Sequence, residues 1–138
     1  MILPAEVQAS VKEFLGTMVD PVTVKLYAKA GEESSETMRS LWQELAGLSD
    51  KLVLDVRDEV PANMTSASME GAVTELWADG AFTGIRYLGL PAGHEFGPLV
   101  QTLVDLSTHV EPEVSSETAA WLKGLEQELR LQVFVTPT

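Results

Sequence analysis

The 138-residue sequence contains no cysteine. The chain itself therefore cannot carry out thiol or disulfide chemistry, and it cannot build the usual structural zinc site from cysteine and histidine. Basic residues are also few, nine against 21 acidic ones, which gives a formal net charge of −12. Because these nine are scattered along the chain, phosphate backbones and anionic membranes would be repelled, and we predict neither a nucleic-acid nor a membrane partner.

Long apolar runs are missing as well. No stretch reaches transmembrane length, and the start "MILPAEVQAS" lacks the charged and apolar regions of a signal peptide, so the chain is predicted to be cytoplasmic. What is present is an ordinary globular composition, with 45% hydrophobic and 22% charged residues. A chain of this length suffices for one domain with a core.

The hydrophobic pattern predicts a mixed α/β order of elements. Helical spacing predicts four helices, and alternating or compact apolar runs predict strands, with a hairpin at Asp79-Gly80 and a loop over 58–71 that contains at most a short helical turn around 65–69. The string "SSET" occurs before the second and fourth helices, where Ser34 or Ser35 and Ser115 or Ser116 are available as N-caps. The first helix is predicted over 4–18, the first strand over 22–29, the fourth helix over 116–129 and the last strand over 131–136.

Several strings resemble a known family. They are "MVDPVTVKLY" (18–27), "GIRYLGLPAGHEF" (84–96) and "LQVFVTPT" (131–138). Together they resemble the N-terminal half of tandem thioredoxin-fold protein disulfide oxidoreductases, also called glutaredoxin-like proteins. They are similar as well to the N-terminal domain of the flavoprotein subunit of alkyl hydroperoxide reductase. The resemblance implies a thioredoxin-like fold (α-βαβ-ββα) with an extra C-terminal helix and strand.

The resemblance also implies two units and the place of a redox site. Residues 1–109 would form a thioredoxin-like domain, and residues 110–138 a linker, helix and first strand of a second, truncated unit. In the family, a Cys-x-x-Cys pair lies between the first strand and its helix, and a cis-proline precedes the third strand. The register places the two thiols at Glu32 and Ser35, with Glu33 and Ser34 between them, and the proline at Ala72. Since cysteines and proline are missing, these five positions are predicted to be a vestigial redox site without catalytic residues.

Other candidate sites have simpler interpretations. Glu32 and Glu33 could form a carboxylate pair for acid–base work, but acidic residues at a helix start are also favoured by the helix dipole. His94 and Glu95 would need a third ligand to hold a metal, and His109 lies at the far end of the same predicted helix. We therefore expect no metal site and no cofactor.

One strand face has a different interpretation. Glu75 and Trp77 would share a face of a strand, which a second half could cover.

These observations predict a non-catalytic thioredoxin-like domain that acts as scaffold or docking module in thiol–disulfide redox. The alternative is an N-terminal piece of a protein disulfide oxidoreductase whose Cys-x-x-Cys follows residue 138. A binding module that uses loop 58–71 and the face above Ala72 is a third interpretation. The expected partner is a protein or a second thioredoxin-like unit.

The last strand poses a separate problem. Without a second half, "LQVFVTPT" must join an edge of the first sheet, pair with another copy into a homo-oligomer, or fray. We predict partial exposure or intermolecular pairing.

Overall fold

A computed structural model describes residues 2–64 and 71–135. The elements in chain order are α1 (Ala5–Leu15), β1 (Val22–Tyr27), α2 (Glu33–Ala46), β2 (Leu52–Arg57), β3 (Val73–Ala78), β4 (Ala81–Leu88), a 3₁₀ turn (Gly93–Glu95), α3 (Phe96–Thr108) and α4 (Ser116–Lys123). None of the helices in the described ranges is long and apolar enough to cross a membrane.

The strands form one sheet in the order β2-β1-β3-β4. β1 and β2 are parallel, as a strand–helix–strand unit requires, and the other two pairs are antiparallel. Asp79 and Gly80 both have positive φ, 53° and 75°, which a two-residue hairpin turn of this kind needs. The predicted α-βαβ-ββα order is confirmed, and the architecture is thioredoxin-like.

One face of the sheet carries the core. Val22, Val24 and Leu26 are fully buried there, and α1, α2 and α3 contribute their buried side chains to the same apolar cluster. Trp42 of α2 is also fully buried, and its Nε1 donates a hydrogen bond to Thr74 Oγ1 at 3.0 Å. These three helices therefore pack on a single side of the sheet.

The opposite side, which we call the open face, carries the odd-numbered residues of β1, β2 and β3 together with Phe82, Arg86 and Leu88 of β4. Its own apolar cluster contains only Tyr27 and Val73, with Val60 and Met64 packed against them. Within the described residues, no helix contributes to this cluster. The part of the chain that the structure describes consequently covers the open face only in part.

The C-terminal region departs from the sequence prediction in two ways. α4 is present but ends at Lys123 rather than 129, because Gly124, a poor helix former, is its C-cap. Residues 131–135 form no strand, since no neighbouring strand pairs with their backbone. Phe134 is 91% exposed, so the predicted exposure is confirmed for this part, while 136–138 lie outside the described residues.

Two further predictions concern the end of α1 and the loop over 58–71. α1 is shorter than predicted because it ends before Gly16, its C-cap. The helical turn predicted within the loop 58–71 falls at 65–69, which the described ranges do not include.

His109 contacts two other turns of the chain at the end of the sheet that contains the Asp79-Gly80 hairpin turn. It follows α3 with φ 56°, and its Nε2 lies 2.7 Å from Asp20 Oδ2, in the connection between α1 and β1. Its Nδ1 lies 3.8 Å from Asp79 Oδ2, at the hairpin turn. The hydrogen bond to Asp20 and then the charge of Asp79 raise the pKa of His109 above its usual value.

A pH dependence of stability follows from this arrangement. The pKa of His109 is higher in the folded than in the unfolded chain, so protonated His109 stabilises the fold. This stabilisation is complete below the unfolded pKa of about 6.5, and it is lost as the pH rises through the folded pKa. Urea unfolding between pH 5.5 and 8.5 should show this loss in the parent chain. His109→Gln should remove it. The control His94→Gln, at the exposed second histidine, should keep the pH dependence of the parent chain. An unchanged pH profile in His109→Gln would contradict the assignment of this pH dependence to His109.

Candidate functional site

The candidate site is the connection from β1 to α2. Gly31 has φ +84°, a conformation that glycine adopts without strain, and the chain then enters α2 at Glu33. Glu32 is the N-cap, in extended conformation, and it makes no capping hydrogen bond through its side chain. The prediction that Ser34 or Ser35 caps this helix is therefore wrong, because both lie inside its first turn.

Ser35 has a different role inside the first turn of α2. Ser35 is fully buried, and its hydroxyl donates to Glu32 Oε2 at 3.3 Å instead of accepting from the backbone. At α4 the corresponding prediction is confirmed for Ser115, whose Oγ accepts a hydrogen bond from Thr118 N at 3.1 Å. The same four letters thus have different roles at the two helix starts, because they begin inside α2 and one residue before α4.

The segment before β3 closes the site from the other side. Gly71 has φ +91°, and a Cβ added there would lie 3.2 Å from Ser34 Oγ, so glycine permits the close approach. Ala72, next in the chain, is 2% exposed, and its carbonyl accepts a hydrogen bond from Gly89 N at 3.0 Å. The structure therefore brings the predicted positions together around the start of α2.

A shallow cavity of about 360 Å³ lies between these segments. Its wall includes Glu33, Ser34 and Met38 from α2, and Gly71, Ala72, Gly89 and Leu90 from the facing loops. Glu32, Glu33 and Ser34 are exposed to solvent, and Met38 is buried. The described lining of this cavity offers neither a thiol nor a proline.

Sequence reasoning missed a second cluster, on the open face. Glu75 is only 2% exposed, and its carboxylate pairs with the Arg86 guanidinium, whose Nε lies 3.0 Å from Oε1. Its other oxygen accepts from Tyr27 OH at 3.2 Å and from Trp77 Nε1 at 3.1 Å. The expectation that Glu75 and Trp77 share a strand face is confirmed. Burial, followed by the charge and hydrogen bond of Glu75, raises the pKa of Tyr27.

His94 and Glu95 lie in the 3₁₀ turn, and His94 is exposed. His109 contacts Asp20 and Asp79 instead. Within the described residues, no three His, Asp or Glu side chains are grouped so that they could hold a metal ion.

Comparison with solved structures identifies the class of fold. The chain superposes on the alkylhydroperoxide reductase AhpF of Enterococcus faecalis with a TM-score of 0.73 and 22% identity, covering 91% of this chain and 62% of that one. It superposes on a protein disulfide oxidoreductase from Aeropyrum pernix with a TM-score of 0.71 and 26% identity, covering 88% and 55%. The fold is that of thioredoxin-like disulfide oxidoreductase domains.

Sequence comparison gives the particular resemblance. The chain is 27% identical to a NADH dehydrogenase of Bacillus subtilis over its whole length. It is 26% identical to an alkyl hydroperoxide reductase subunit of Pseudomonas aeruginosa over 96% of its length. No protein-family model matches. The resemblance inferred from the sequence motifs is confirmed, and the chain spans about a quarter of the length of these relatives.

Proposed function

We propose that this chain is a non-catalytic thioredoxin-like domain that serves as a scaffold or docking module in thiol–disulfide redox, with the reacting thiols supplied by another unit. The observation that carries the proposal is the connection from β1 to α2. It keeps the strand, the helix start and the facing Gly71–Ala72 segment of the fold, while Glu32 and Ser35 stand where the family resemblance implies the two thiols.

The local charge also opposes thiol chemistry. Glu33 and Glu36 lie in the first turn of α2, where they interact favourably with the helix dipole. The same negative charges would disfavour a thiolate at that place. The helix start is thus adapted to carboxylates.

Restoring the thiols tests whether the site is vestigial. With dithiothreitol supplied as the electron donor, the variant Glu32→Cys with Ser35→Cys should gain measurable insulin disulfide reduction, because the pair would flank Glu33 and Ser34, which line the cavity beside Ala72. Ser115→Cys with Thr118→Cys is the matched control, since these residues are the N-cap and the third residue of exposed α4.

The control pair has the same spacing, neither of its residues lines the cavity beside Ala72, and its activity should stay near the background of the parent chain. Equal activity of the two cysteine pairs would contradict the assignment of the vestigial site.

The proposed partner is a second thioredoxin-like unit, and the proposed compartment is the cytoplasm. We also propose a domain boundary at 109/110. Its support is burial: between 110 and 135 every residue except Ala119 is exposed, whereas α3 ends with Ser107 fully buried.

The alternative is that the chain forms the N-terminal part of a protein disulfide oxidoreductase. The longer solved relatives favour it, since the chain covers 62% and 55% of their lengths. Reading the coding sequence beyond Thr138 separates the two: a stop codon excludes the alternative, and a Cys-x-x-Cys shows that the complete protein is not inert.

A further inference from the structure

The hairpin turn between β3 and β4 places a carboxyl group beside an uncrowded peptide nitrogen. The strand pairing closes with Ala78 opposite Ala81, so the peptide bond between Asp79 and Gly80 lies outside the ladder. The side chain of Asp79 is 70% exposed. A Cβ added at Gly80 would have no atom of the described residues within 4 Å, apart from its chain neighbours. The Gly80 nitrogen is therefore open to attack on the neighbouring carboxyl group.

A carboxyl group in this position can react with its own backbone. The Gly80 nitrogen attacks Cγ of Asp79, the new N–Cγ bond closes a five-membered succinimide ring, and the carboxyl hydroxyl leaves with the amide proton as water. Water then opens the ring at one of its two carbonyl carbons. Opening at Cγ restores aspartate, whereas opening at the backbone carbonyl gives isoaspartate, in which the chain runs through Cβ and Cγ. One water molecule is released and one is consumed, so no further reactant is needed.

The backbone of this turn favours closure of the ring. Asp79 and Gly80 have φ 53° and 75°, the pattern of a type I′ turn. A flip of the peptide plane between them gives a type II′ turn, which keeps positive φ at Asp79 and brings its ψ to about −120°. At this ψ the Cβ of an L-residue eclipses the next nitrogen, as a nearly planar ring requires. Gly80 has no Cβ that would oppose the flip.

One contact restrains the Asp79 carboxylate, and it is a weak one. His109 Nδ1 lies 3.8 Å from Asp79 Oδ2, whereas its Nε2 lies 2.7 Å from Asp20 Oδ2. The side chain of His109 is itself 51% exposed, so solvent screens its charge. The restraint on Asp79 weakens further when His109 loses its proton.

We propose that Asp79 is a modification site, at which the folded chain forms isoaspartate through a succinimide closed by Gly80. The modified turn contains one more backbone atom, so it no longer fits the two-residue connection between β3 and β4. The pairing of Glu75 with Arg86 depends on the register of this hairpin. The modified chain should therefore melt at a lower temperature than the parent chain.

The test incubates the folded chain at 37 °C and then digests it with a glutamate-specific protease. The fragment 76–95 contains Asp79 and has no other aspartate and no asparagine. We expect a second form of this fragment, with unchanged mass, a shifted retention time in liquid chromatography, and resistance to a protease that cuts before aspartate.

The fragment 45–59 of the same digest is the matched internal control. It contains Asp50 and Asp58, which are both exposed, but the residues that follow them are Lys51 and Glu59. A Cβ on the following residue crowds the attacking nitrogen, so this fragment should show a single form.

Two variants test the chemistry at the turn. Gly80→Ala should suppress the second form of fragment 76–95, because the added Cβ opposes both the flip and the attack. Alanine is strained at positive φ, so Asp79→Glu replaces this variant if circular dichroism melting shows that it does not fold. Glutamate would have to close a six-membered ring, and its fragment should likewise remain a single form.

Four results would overturn the assignment: a single form of fragment 76–95 in the parent chain, a second form that arises only in urea, an equal conversion of fragment 45–59, or a second form that persists in Asp79→Glu. A modified fraction that melts at the temperature of the parent chain would contradict the expected effect on the hairpin.

Discussion

Replacing Glu75 by alanine is expected to lower the free energy of unfolding by about 3 kcal/mol, because the change leaves a partly buried guanidinium without its carboxylate. Glu75 is 2% exposed, and Oε2, the oxygen that is not bonded to Arg86, also accepts from Tyr27 and Trp77. Removal of one partner from such a network leaves several donors unsatisfied. Urea unfolding at pH 7 measures the loss.

Two further variants distinguish the effect of burying the Glu75–Arg86 pair from the effect of its charges. Asp55→Ala also removes a carboxylate from the open face, but the Asp55 side chain is 32% exposed beside Arg57. We therefore expect the free energy of unfolding to change by less than about 1 kcal/mol. Glu75→Leu combined with Arg86→Met removes both charges and should cost much less than Glu75→Ala. A loss in Asp55→Ala as large as that in Glu75→Ala would contradict the central place of Glu75.

Tyr27 gives a spectroscopic readout of the same network. In Glu75→Gln the pKa of Tyr27 should fall, because the charge of Glu75 is removed, and it should stay above the usual value because burial is the largest cause. The chain has one other tyrosine, so the ultraviolet titration is best performed in a Tyr87→Phe background.

Replacing Trp42 by alanine is expected to cost about 4 kcal/mol of unfolding free energy, because it opens a large cavity in the core. Trp42 is fully buried, and its indole N–H bonds Thr74 Oγ1, so the change also leaves that buried hydroxyl without its donor. Domains are stable by roughly 5–15 kcal/mol, so the variant should be close to unfolding at 37 °C.

Trp121 provides the control for this change. It is 62% exposed on α4, and Trp121→Ala should alter stability by less than about 0.5 kcal/mol. Denaturant unfolding followed by circular dichroism measures both variants. Equal losses would show that α4 packs on the core in solution, contrary to the structure.

The order of elements could be predicted because local signals agreed with the fold. Asp79-Gly80 favours a two-residue turn wherever it occurs, and the apolar spacing of α2 matches a helix that packs on one side. The prediction of a C-terminal strand was wrong for residues 131–135. These residues favour a strand, but strand formation also needs a partner backbone. Pattern reasoning cannot supply that partner.

The open-face cluster could not be predicted for a different reason. Simple pairing outward from the Asp79-Gly80 turn would put Gly84, not Arg86, opposite Glu75. An irregularity between Glu75 and Trp77 shifts the register, so that Arg86 faces Glu75. Contacts of His109 with Asp20 likewise depend on tertiary structure, as 89 positions separate the two residues.

Strand pairing aligns Asp55, Lys25, Glu75 and Arg86 in one row on the open face, and this row has an evolutionary consequence. Every neighbour of a charge in the row has the opposite sign, so a single reversal would bring two like charges together. Viable lineages should therefore change sign at positions 25, 55, 75 and 86 in concert, or replace the row as a whole. A set of homologous sequences would reveal the row as four linked positions scattered along the chain.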